Sequence, residues 1–177
     1  MKIKKTNFKG LLIVSQKNNK DRRGLLRETF NDRVLKKKFT FEYCTTSKKN
    51  VLRGFHFQFK NKQSKYVNVL KGKILDVVLD LRKNSRTFGK VFKIILSKKN
   101  ALGLYIPAGF AHAYYSYEKE NIIYYKLDNY YNPKFESGIV YNDKILKIKW
   151  PKNKMIISKK DKNLLNISQF KKKFKYL

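Results

Sequence analysis

Side chains with the types and spacing for chemistry gather first in Val51 to Lys65, VLRGFHFQFKNKQSK, an apolar run, a polar loop and the start of a second apolar run. Arg53, His56, Gln58 and Lys65 supply a guanidinium, an imidazole, an amide and an ammonium. An imidazole titrates near neutral pH and so can take and return a proton. In an extended segment successive side chains point to opposite faces, so Arg53 and His56 face opposite ways unless Gly54 bends the strand. Phe55 and Phe57 flank His56 and can wall the ring off from water. Taken alone, a histidine on an aromatic strand is more often a satisfied core side chain than a reactive one.

Strands must position this set. Short apolar runs and two-residue alternation mark Gly10 to Ser15, Leu25 to Phe30, Phe39 to Thr45, Val51 to Phe59 and Tyr66 to Leu70. They continue through Ile74 to Leu81, Val91 to Ser97, Leu104 to Ile106, Ala111 to Tyr117 and Ile122 to Leu127. Many short strands punctuated by Lys-Gly-Lys at 71–73, Lys-Lys-Asn at 98–100 and Glu-Lys-Glu-Asn at 118–121 indicate a sandwich or barrel. After Trp150-Pro151 the pattern changes, and Ser158-Lys-Lys-Asp161 reads as a capping box that starts a short helix. Phe170 to Leu177 reads as a frayed helix or a basic tail.

The bulk numbers bound the rest. A chain of 177 residues with 42% hydrophobic and 15% aromatic content is a globular domain with a core of its own. One cysteine, Cys44, excludes a disulfide framework and points to a reducing cytoplasm. The apolar run Leu11 to Val14 is too short for a signal peptide or membrane span. A net charge of +31 invites a nucleic-acid reading. Lysine supplies most of it, however, and arginine, whose planar fork suits base reading, stands only at 22, 23, 27, 33, 53, 82 and 86. Much of the charge is then solvated surface, attractive to a phosphate-bearing small molecule.

Histidines on inner strands of a small barrel suggest a cupin, a class that often holds metal. Such sites want a His-x-His pair, a carboxylate and a later histidine. This chain offers His56-Phe-Gln58 and one other histidine, His112, so no metal is expected.

Six stretches form a larger pattern: KNVLRGFHFQ at 49–58, GKILDVVLDLRKNSRTFGK at 72–90, IPAGFAHAYY at 106–115, YYKLDNYYNP at 124–133, GIVYND at 138–143 and IKWP at 148–151. In order and spacing they resemble the dTDP-4-dehydrorhamnose 3,5-epimerase family over nearly the whole chain. The resemblance implies a mainly β, cupin-type jelly-roll barrel with a short C-terminal helical segment. It implies a cofactor-free homodimer that inverts C3, C5 or both in a nucleoside-diphosphate-linked 4-keto-6-deoxy sugar. Residues 1–50 would supply strands exchanged in the dimer, 51–150 the barrel core with the site, and 151–177 the helix and basic tail.

Carried over residue by residue, the resemblance makes His56 the base and Asp161 the carboxylate behind it. A capping-box role is the competing reading for Asp161. Lys65 falls near the keto oxygen, where a cation stabilises an enolate. Tyr125 falls on the acid of the opposite sugar face, with Tyr124 pointing the other way. Arg23 and Arg53 fall on the diphosphate, Glu28 and Tyr130 on the nucleotide site, and Gln58 completes the substrate contacts. Asp80 and His112 would support from behind.

Two departures touch binding rather than proton transfer. Where the family usually shows Gln-Asp-Asn this chain has Phe41, Glu42 and Tyr43, and after Arg23-Gly24 it has Leu25, Leu26 and Arg27 in place of aromatics. A related epimerase acting only at C3 of another nucleotide sugar, such as a GDP-linked 4-keto-6-deoxy-heptose, therefore stands as an alternative. From a different class, a basic non-catalytic barrel binding nucleic acid or another polyanion is the third.

Overall fold

Residues that alternate apolar and polar pair into antiparallel sheets with one buried face, and runs that are apolar throughout become strands buried on both. Both kinds occur in this chain, seen in a computed structural model that describes residues 1–174 and 177. Residues 175 and 176 of the expected basic tail lie outside the described residues.

The elements are β1 (Lys2–Lys5), β2 (Leu12–Ser15), β3 (Asn18–Asp21), β4 (Gly24–Arg27), α1 (Asp32–Leu35), β5 (Phe41–Lys48), β6 (Leu52–Gln58) and β7 (Lys65–Lys71). They continue with β8 (Lys73–Asp80), β9 (Val91–Ser97), β10 (Leu102–Ile106), β11 (Phe110–Ser116), β12 (Glu120–Leu127), β13 (Glu136–Gly138), α2 (Lys159–Lys162) and α3 (Ile167–Phe174). A six-stranded sheet runs β1-β2-β10-β7-β12-β5 and a five-stranded sheet runs β13-β6-β11-β8-β9. The hairpin β3-β4 pairs only with itself.

Two cores hold the layers. Between the sheets lie Val67, Val69, Leu104, Ile123, Tyr125 and Leu127 from one sheet, facing Ile74, Val78, Leu96, Phe110 and Tyr114 from the other. Behind the five-stranded sheet, Phe55, Phe57, Val77, Leu79, Ala111 and Ala113 pack against Ile167 and Phe170 of α3. Strands β8 and β11 are thus buried on both faces, which explains why their sequences are nearly continuous apolar runs.

Strand β9 matches its sequence expectation at both ends, whereas β1, β3, β13 and α1 were not marked by the sequence pattern. β1 and β3 are almost wholly polar, so no apolar alternation announces them. β1, β2 and β5 are built into the chain's own six-stranded sheet, with β1 and β5 at its edges, whereas the β3-β4 hairpin joins neither large sheet. No helix among the described residues is long and apolar enough to cross a membrane.

Candidate active site

The site is built on an irregularity in β6. His56 pairs with His112 of β11, but Arg53 pairs with Tyr114, so three steps on β6 oppose two on β11. That is a bulge, and it shifts the side-chain alternation by one. Gly54 permits it: its φ is +112°, and a Cβ there would lie 2.5 Å from the His112 carbonyl oxygen. Arg53 consequently turns to the inner face with His56, where its Nε donates to Ser47 Oγ of β5 at 3.2 Å.

The imidazole is tied from behind. His56 Nε2 stands 2.9 Å from Asp161 Oδ1, and the Gly54 N–H donates to Asp161 Oδ2 at 3.0 Å. Ser158 caps α2 by accepting from the Asp161 N–H at 3.0 Å, but the carboxylate makes no bond to the Ser158 N–H that a capping box requires. It serves the histidine instead. Burial pushes the Asp161 carboxyl up, and the His56, Gly54 and Ser158 bonds outweigh it and hold it below the ordinary carboxylate value. With Nε2–H given to that carboxylate, Nδ1 carries the lone pair. Nδ1 faces Glu136 Oε1 at 3.9 Å. Glu136 in turn accepts from Tyr131 Oη at 2.9 Å and from Lys160 Nζ. Burial raises the Glu136 carboxyl, yet Lys160, His56 and Tyr131 together bring it below its usual value.

The six-stranded sheet supplies the opposing wall. Tyr125 is buried, its ring stacked on Tyr43 with centroids 4.8 Å apart, and the His112 ring meets it edge-on with centroids 6.0 Å apart. Burial, then the neighbouring phenols and Asp76, push the Tyr125 phenol well above its ordinary value, against a small opposing pull from Arg53. Tyr124 points outward and donates to Glu42 at 2.5 Å. Burial draws Lys65 down to about 8, with Glu136 and Asp76 acting in the other direction. His112 is held by Asp76 at 2.8 Å. Both histidines thus have a carboxylate of their own. Among the described residues no three histidine, cysteine or carboxylate side chains converge to hold a metal ion.

A cavity of about 70 Å³ is lined by Tyr43, His56, Gln63, Lys65, Tyr131 and Glu136, among others. A far larger cleft, about 1070 Å³, lies where β7 ends at Lys71, under the β3-β4 hairpin. It is lined largely by lysines and contains no histidine, tyrosine or arginine, so size is a poor guide to the chemistry here.

Gln58 and Asp80 are engaged by the chain itself, and Arg23 and Glu28 stand apart from the His56 cavity of their own chain. Gln58 is buried with its amide committed: it donates to the Asn61 and Tyr130 carbonyls at 2.9 and 3.3 Å and accepts from Asn132 N–H at 2.6 Å. It ties down the loop that carries Tyr130 and lines the His56 cavity. Asp80 accepts from Arg82, Ser85 and Thr87, bracketing the loop after β8 instead of backing the site. Arg23 is 86% exposed and pairs with Asp21 at the tip of the hairpin. Glu28 is exposed just past β4 and accepts from Asn31. Within one chain no hydrogen bond or ion pair among the described residues joins either to the His56 cavity. Tyr130 is 63% exposed with its ring 6.0 Å from Phe41.

Asp76 and Glu136, unlike Tyr43, were not singled out by the sequence. Asp76 carried a signal, being an acid at an inward position between Ile74 and Val78. Glu136 carried none, because only folding brings its short strand beside β6.

An imidazole on one sheet, backed by a carboxylate from α2 and faced by the buried Tyr125 phenol of the other sheet, makes the architecture of a cupin-type epimerase. The family model for dTDP-4-dehydrorhamnose 3,5-epimerase matches residues 5–169. The enzyme of that name from Methanothermobacter thermautotrophicus is 39% identical over 167 residues, 90% of each chain. The crystal structure of the Elizabethkingia anophelis enzyme superposes with a TM-score of 0.88 at 36% identity, covering 96% of this chain and 97% of that one. The Legionella pneumophila epimerase, solved in complex with dTDP-4-keto-L-rhamnose, gives 0.89 at 35% identity, covering 94% and 92%. The chain belongs to the dTDP-4-dehydrorhamnose 3,5-epimerase family, and its activity is that of an isomerase.

Proposed function

We propose that this enzyme inverts C3 and C5 of a dTDP-linked 4-keto-6-deoxy sugar by removing a proton from one ring face and returning one from the other. His56 Nδ1 takes the proton beside the ketone, and Asp161 stabilises the imidazolium that forms. Charge then accumulates on the keto oxygen as an enolate, which the Lys65 ammonium stabilises in a site shielded from water. Tyr125, whose phenol stays protonated far above neutral pH, donates from the opposite wall. Arg53 holds the diphosphate, while Arg23 and Glu28 serve the site of a second subunit in a homodimer. Tyr130 offers its exposed ring to the base. Cys44 is unpaired, and we assign the enzyme to a reducing cytoplasm.

The observation that carries this reading is the 2.9 Å contact of His56, on the sheet facing Tyr125, with a buried carboxylate of α2 that lies 105 residues away. Incubating the protein with dTDP-4-keto-6-deoxyglucose in deuterated water tests it. Label entering at C3 and C5, with inversion read from proton coupling constants, is the expected result. Label at C3 alone selects the one-centre alternative, and no label on this or the GDP-linked substrate overturns the reading.

A further inference from the structure

The wall that β5 and β12 contribute is aromatic where the family resemblance leads one to expect amides. Tyr43 pairs in register with Tyr125, and Phe41 with Leu127, so all four side chains share the inward face. Their rings form a row with Tyr130: Tyr130 to Phe41 at 6.0 Å, Phe41 to Tyr43 at 5.7 Å and Tyr43 to Tyr125 at 4.8 Å. Tyr43 is the member that lines the cavity beside His56 and Lys65.

The amides that line the same cavity are tied to the chain, Gln58 by both of its N–H groups and Gln63 by one. Gln63 donates to the Asn129 carbonyl, and Gln58 to those of Asn61 and Tyr130. The Tyr131 hydroxyl donates to Glu136. A sugar hydroxyl directed at β5 therefore meets a ring face rather than a hydrogen-bonding amide. We propose that Tyr43 determines specificity in the sugar subsite, selecting a 4-keto sugar that presents C–H where a hydroxyl would face β5, a dideoxy nucleotide sugar.

A ring face gains contact with C–H groups, and a buried hydroxyl without a partner weakens binding. A 4-keto-6-deoxyhexose has ring hydroxyls at C2 and C3, and only the C2 hydroxyl can be removed without altering an inverted carbon. The inference rests on the proposed function and names the substrate class for that site.

The test compares kcat/KM for deuterium wash-in on dTDP-4-keto-6-deoxyglucose and on its 2-deoxy counterpart, for the parent enzyme, Tyr43→Phe and Tyr43→Asn. Both substrates are read on the same preparation, so a partly unfolded variant leaves the ratio intact. The parent should favour the 2-deoxy compound, Tyr43→Phe should keep that preference, and Tyr43→Asn should swing it toward the hydroxylated compound by about tenfold or more. An unchanged ratio in Tyr43→Asn, a parent preference for the hydroxylated compound, or an equal swing in Tyr43→Phe overturns the inference while the epimerase reading stands. Absence of exchange on both compounds by the parent removes the functional reading and the inference with it.

Discussion

His56 Nε2 and Asp161 Oδ1 stand 2.9 Å apart although 105 residues separate them, and the same carboxylate holds the Gly54 N–H that shapes the bulge beside the histidine. One buried group thus fixes both the tautomer of the imidazole and the backbone that carries it. This coupling makes the pair the first place to test.

His56→Ala is expected to abolish deuterium wash-in, by roughly 100- to 10,000-fold, while leaving the sheets folded. Asp161→Asn should retain more activity, because an amide still orients the ring but cannot stabilise the imidazolium. Far-UV circular dichroism and exchange rates on the same samples check both. An Asp161→Asn variant that loses stability yet keeps its full rate would leave Asp161 only a structural role at the head of α2.

The Asp161 carboxyl titrates below its usual value of 3.8 in the folded protein, so the unfolded chain binds its proton first as pH falls. Its contribution to stability is fully present above about pH 5 and is lost as pH falls through the folded value. Acid titration of the melting temperature should show this loss in the parent and a flatter curve in Asp161→Asn.

Lys65 has the opposite sign. Its folded value is drawn down to about 8 from 10.5, so between those values the unfolded chain holds a proton that the folded one lacks, and stability rises with pH across that window. Lys65→Met should therefore stabilise the fold near neutral pH. It should also remove most of the enolate stabilisation. In the parent, kcat/KM should fall above about pH 8 as the ammonium is lost, and Lys65→Arg should shift that fall upward.

Tyr125→Phe separates the two half-reactions. The ring and its stacking on Tyr43 remain, and only the donor is lost. Wash-in through His56 should persist while inversion is completed poorly. Wash-in and inversion falling together would reduce Tyr125 to shaping the cavity.

Arg23→Ala and His56→Ala, each weakly active alone, should complement when their subunits are mixed. If Arg23 serves the neighbouring site, random mixing restores about a quarter of the sites. No recovery after verified subunit exchange would place Arg23 outside the partner's site.

Much of this was legible in the sequence because strand periodicity is local. Val91 to Ser97 reads as a strand at both ends, and the alternation in Ile-Ile-Tyr-Tyr-Lys already sends Tyr124 and Tyr125 to opposite faces. The aromatic substitutions at Phe41 and Tyr43 are visible there too, and with Gly54 the capacity of β6 to bend. What periodicity cannot supply is a partner. Asp76 and Asp80 occupy the same inward face of β8, four residues apart, and look alike in sequence. Only the folded chain sets His112 against Asp76 and closes the Arg82–Thr87 loop over Asp80, so that one acid backs the site and the other brackets a loop. Likewise Ser158-Lys-Lys-Asp161 satisfies a capping pattern locally. The half-buried imidazole, a stronger partner for a carboxylate than the exposed end of a one-turn helix, takes the Asp161 side chain in place of the Ser158 N–H.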